Sequence, residues 1–151
     1  MLAISTWAWE RYLDQAVRQI DTSKVTAAQE YAFFLDTFLD LYRNHRDLLR
    51  FNQFFNVYVQ NEEIPPEAMQ PYLKVLDFLE TRFAAIYERA KTDHTLRTDI
   101  PIKEILLAST HLMLAAVTRY AVGLVYEGGL DPEKELILQR NMLLREFTET
   151  P

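Results

Sequence analysis

Glycine occurs at only three positions of this 151-residue chain, Gly123, Gly128 and Gly129, all in its last third. Without the residue that takes positive φ at no steric cost, tight hairpin turns and phosphate-cradling loops have little to be made from. Long helices remain as the main way to order such a sequence. Hydrophobic residues are 49% and charged residues 25%, enough apolar surface for a substantial core and far from the composition of a disordered chain. An all-α fold in a single domain over 1–151 is expected.

The net charge of −6 argues against direct duplex binding, which relies on clustered Lys and Arg to displace counterions from phosphates. The absence of cysteine removes disulfides and thiolate metal sites and is compatible with the cytoplasm, where the chain is expected. The start, Met1 to Glu10, has no positive region ahead of an apolar run, and Trp9, Glu10 and Arg11 interrupt the apolar residues, unlike a signal peptide.

About six helices follow from the apolar periodicity. The first, about Ile4 to Ile20, brings Trp7, Tyr12 or Leu13, Ala16 and Ile20 near one another. Thr26 and Gln29 have the spacing of a capping box, so a second helix starts there and carries Tyr31, Phe34, Leu35, Phe38, Leu41 and Tyr42. A break near Asn44 precedes a third helix to about Val59. Proline is welcome only in a first turn, so the fourth helix starts at Pro66 or at Pro71 and runs to about Ala90. Thr92 to Pro101 is a polar loop, and a fifth helix from Pro101 to about Glu127 ends at Gly128-Gly129. Asp131-Pro132-Glu133 then opens a sixth, as cap, first-turn proline and carboxylate at the positive end of the helix dipole.

The fifth helix is the unusual one. From Ile105 to Tyr126 its only formal charge is Arg119, and apolar or small side chains point in almost every direction. His111, Arg119, Ser109, Thr110 and Thr118 make a membrane span a poor reading. The alternatives are complete burial within one domain, or burial by its own domain on one side and by a second copy on the other. Ser109, Ala116 and Gly123 recur every seven residues as a strip of small side chains, which favours close approach of a second helix. With Tyr120, and with Leu136, Leu143 and Phe147 of the sixth helix, they predict a four-helix seam between two chains. Arg119 is expected to pair with a carboxylate, since an unpaired buried guanidinium is costly.

The run His45-Arg46-Asp47-Leu48-Leu49-Arg50-Phe51, the turn Asp93-His94-Thr95-Leu96-Arg97-Thr98-Asp99 and the long apolar fifth helix followed by Asp131-Pro132 resemble the C-terminal domain of TetR-type transcriptional regulators. The resemblance covers nearly the whole chain. It implies a helical domain that binds a small, often lipophilic effector between its helices, dimerises through its last two long helices and signals to an N-terminal helix-turn-helix. No part of this chain matches that headpiece, so DNA would be reached only through a segment outside it, with Met1 to Ile20 as the connecting helix. The position of His94 is often glycine in similar sequences.

Catalytic signatures are missing: no His-Glu-x-x-His, Gly-x-Ser-x-Gly, Walker loop or dinucleotide fingerprint occurs, and no histidine follows a Glu by three. No enzyme activity, cofactor or metal is expected. The positive signal is aromatic. Phe34, Phe38, Phe55, Tyr58, Phe83 and Tyr87 sit on three successive helices; most would be core, but aromatics also line apolar sites. Leu107, His111, Leu114 and Thr118 share a strip of the fifth helix that would add hydrogen-bonding groups, and Asn52 and Asn56 share a face at i, i+4. The leading expectation is an effector-binding, homodimerising domain of a transcriptional repressor; the competing one is a stand-alone dimerisation module with no small ligand.

Overall fold

The computed structural model describes residues 2–123, 128–129 and 131–148, which form six helices and no strand. These are α1 (Leu2–Arg18), α2 (Ala27–Asn44), α3 (Arg46–Asn61), α4 (Pro66–Asp93), α5 (Ile102–Ala121) and α6 (Pro132–Thr148). Among the described residues no helix is long and apolar enough to cross a membrane.

Local chemistry sets most boundaries. The Thr26 hydroxyl accepts the Gln29 N–H at 3.2 Å while the Gln29 side chain accepts the Thr26 N–H at 2.9 Å, the reciprocal capping box that starts α2. His45 alone separates α2 from α3. Asp131 accepts the Glu133 N–H at 2.9 Å and opens α6. The start of α4 is the earlier of the two expected, and the end of α5 differs from expectation. Helix α4 begins at Pro66 and runs through Pro71, whose ring is accommodated on an exposed stretch one turn and a half in. Helix α5 stops at Ala121, not Glu127: Gly123 takes φ +86° just past its end, the left-handed stop that Gly128-Gly129 had been expected to supply. Residues 124–127 lie outside the described residues.

Helix α2 is central, packed against α3, α4, α5 and α6, while α1 lies across α3 and α4. Tyr31, Leu35, Leu49, Phe83, Ile86, Ile105, Met113, Val117 and Leu136 are the heart of the core. Helix α1 buries Ser5, Thr6 and Tyr12 and leaves Trp7 59% exposed beneath the Arg11 guanidinium, so its inner face is turned away from the one expected through Trp7. Helix ends are closed by other elements. Asp93, the last residue of α4, and Thr95 just beyond it accept the Ala27 and Ala28 N–H groups at 2.7 and 3.0 Å; Arg50 of α3 donates to the Ala121 carbonyl at 2.7 Å; Arg97 donates its backbone N–H to the Phe147 carbonyl at 2.8 Å.

Candidate ligand cavity

A cavity of about 200 Å³ lies where α1 and α4 cross over α2 and α3. Its walls are aromatic and aliphatic: Trp9, Tyr12, Leu13 and Ala16 from α1, Phe33, Phe34 and Phe38 from α2, and Tyr72, Val75, Leu79 and Phe83 from α4. Phe34 holds the corner, edge-on to Phe38 at 5.2 Å and to Phe83 at 4.6 Å between ring centres. Helix α5 contributes Thr110 and Leu114.

Polar groups are few and placed. The Trp9 indole N–H donates to Asn52 Oδ1 at 3.3 Å, and since an indole can only donate, the Asn52 amide nitrogen is directed elsewhere. The Tyr12 hydroxyl faces the Thr37 carbonyl at 2.7 Å and Asp40 Oδ2 at 3.1 Å; burial, then the Asp40 charge, push its ionisation far above the ordinary tyrosine range, so it is a neutral donor. Glu30, 4% exposed, is held by Arg82 at 2.9 Å on Oε1 and by Arg89 on Oε2. Burial works against the Arg82 charge and draws its pKa down; the Glu30 carboxylate is its partner. Among the described residues four buried side-chain polar atoms lack a hydrogen-bond partner, and of these only Thr110 Oγ1 belongs to a residue lining the cavity.

Phe34, Phe38, Phe83 and Leu114 are brought together at the cavity. The other candidates are not. Phe55 is buried against Tyr72, 5.1 Å between rings, behind the cavity wall. Tyr58 is half-buried away from it, and Tyr87 donates to the Thr98 carbonyl at 2.8 Å. Leu107 and His111 are exposed and Thr118 is half-buried outside the cavity wall, so of this strip only Leu114 reaches the cavity, and Thr110, one residue before His111, takes the inner position.

The strip expected to face a second chain is turned inward instead. Ser109 is fully buried and donates to the Ile105 carbonyl at 2.6 Å; its one proton spent, it accepts from the Tyr31 hydroxyl at 2.7 Å. Ala116 and Tyr120 pack on the core, Tyr120 edge-on to Tyr42, and Leu136, Leu143 and Phe147 are buried. Gly123 lies beyond the helix, and a Cβ there would meet nothing within 4 Å, so its role is the positive φ and not close approach. The outward apolar residues are Leu107, Leu112 and Val122, each 41% exposed, with Ile137, Leu138 and Met142 of α6.

A second hollow, about 400 Å³ and of mixed polar and apolar lining, lies outside α1 and α2 between Gln15, Gln19, Asp36, Asp40 and His45. Its carboxylates are already engaged, Asp36 by Arg140 at 2.7 Å and Asp40 by Asn44 at 2.8 Å. No family model, curated protein or solved structure matches this chain.

Proposed function

We propose that this chain senses a small, mainly apolar molecule held between α1, α2, α3 and α4, and that it is the effector-binding, homodimerising domain of a TetR-type cytoplasmic regulator whose DNA-binding segment lies outside these residues. One observation carries the sensing part: Thr110, which lines a cavity whose other walls are largely apolar, has a buried hydroxyl oxygen with no partner. A buried polar atom left unsatisfied costs about 1 to 3 kcal/mol, a cost that a bound molecule with a complementary group removes. Apolar walls with a few convergent polar groups are the ordinary makeup of small-molecule sites, and 200 Å³ exceeds the roughly 150 Å³ known to hold a benzene ring.

The test is a thermal-shift panel of apolar compounds on the wild type and on Ala16→Phe, which fills the cavity from α1. A ligand at a hundredfold excess over its Kd adds about 2.7 kcal/mol to stability. The wild type should shift and the filled variant should not; no shift from any compound defeats the sensing reading. The exposed Leu107, Leu112, Val122, Ile137, Leu138 and Met142 favour a second reading, a dimerisation module without a ligand, and that reading stands if the panel fails while the chain still sediments as a dimer.

A further inference from the structure

Resting on the cavity reading above, the count of donors and acceptors around the cavity assigns the ligand a chemical class: we propose that it is an amphiphile with an anionic carboxylate head. The buried carboxylate and carboxamide oxygens of the wall already hold a donor. Glu30 has Arg82 on one oxygen and Arg89 on the other, and Asn52 Oδ1 holds the Trp9 N–H, while the remaining carboxamide of the wall, Asn56, is exposed. Donors are left over. Among the described residues Arg82 meets no acceptor but Glu30, and a guanidinium carries five N–H groups and no lone pair to offer. Asn52, 4% exposed, has its amide nitrogen directed away from Trp9. Thr110 adds a hydroxyl that can turn its proton to either need.

Arg82 and the Asn52 amide nitrogen can only donate, so a cationic or donor-only head would meet neither of them and would sit beside the Arg82 charge. A neutral alcohol would satisfy one. A carboxylate offers two oxygens and about four lone-pair positions, matches the guanidinium in shape and charge, and leaves the hydrocarbon to the aromatic wall.

The experiment is titration calorimetry of decanoic acid, decanol and decylamine, at a pH where the acid is ionised and the amine protonated, against the wild type, Arg82→Gln and Asn52→Asp. In Arg82→Gln the Glu30 carboxylate keeps Arg89, and in Asn52→Asp the Trp9 N–H keeps an oxygen. Decanoate should bind the wild type at least about tenfold tighter than decanol, with decylamine weakest, as expected for a charge-assisted hydrogen bond. Arg82→Gln should erase that preference while leaving decanol unchanged, and Asn52→Asp should invert it towards decylamine, a reversal that mere loss of structure cannot produce. Decanol or decylamine binding the wild type as tightly as decanoate overturns the head-group assignment and leaves the cavity reading intact. Failure of all three to bind the wild type overturns both.

Discussion

The Asp93 carboxylate accepts the Ala27 backbone N–H at 2.7 Å, so the end of α4 caps the start of α2. Burial works against this charge, but the N–H groups of Ala27 and Thr95, the Thr95 hydroxyl and the Arg89 charge outweigh it and hold the pKa below the ordinary aspartate value. The folded state therefore binds this proton more weakly than the unfolded state. The contribution is complete above the unfolded value of about 3.9 and is lost as pH falls through it towards the depressed folded value. Asp93→Ala should cost about 1 to 2 kcal/mol near neutral pH by denaturant unfolding, and the difference from wild type should shrink below about pH 4. A constant difference across that range would contradict the cap's ionic character.

His94, next to it, takes φ 57° and ψ 27°, the left-handed conformation, at an exposed position closing α4. A side chain there costs roughly 1 kcal/mol more than glycine. His94→Gly should raise the midpoint of thermal unfolding, because the relief of strain outweighs the added freedom of the unfolded chain at a site outside the helix. A lower midpoint would mean that the imidazole makes a stabilising contact.

Glu30 holds two arginines on one buried carboxylate. Glu30→Gln keeps the shape and leaves two guanidiniums without a counter-charge, and each side chain is only about a quarter exposed, at 25% and 26%. The expected loss is roughly 3 kcal/mol. Glu30→Gln combined with Arg89→Met should recover part of it, and equilibrium unfolding of the three proteins checks the sign.

Leu112 is 41% exposed on the outward face of α5. If α5 and α6 form the seam between two chains, that interface should bury about 1,200 Å² or more. Leu112→Glu should then shift sedimentation from dimer to monomer while changing the stability of the monomer little. A wild type that sediments as one chain at micromolar concentration would remove the dimer.

The amphipathic elements and their punctuation were open to sequence reasoning because each is a local matter. The Thr26–Gln29 box, the break at His45 and the Asp131-Pro132 start are settled within a few residues of chain. The orientation of α5 was not legible. With apolar side chains in nearly every direction, its periodicity has no preferred face, and the true inner strip through Ser109, Met113 and Val117 is distinguished only by what packs on it. The pocket and seam strips drawn from sequence were accordingly rotated, and Leu107 and His111 fell outside. Asn52 and Asn56 had been singled out by spacing alone and do line the cavity. Thr110 carried no signal of its own, because an unsatisfied hydroxyl is a property of its surroundings and not of the residue. Trp9, Arg82 and the Glu30 cluster depend on contacts between segments more than forty residues apart, and no local pattern encodes these.

Because Asp93 and Thr95 close α2, Arg50 closes α5 and the Arg97 N–H meets the end of α6, the first and last turns of these helices cannot fray one at a time. The Ala27 and Ala28 amides should exchange with deuterium only when the whole molecule opens, and so as slowly as amides in the core. Such a chain responds as one cooperative unit, in which a molecule entering beside Phe34 would slow exchange at the far ends of helices it never touches.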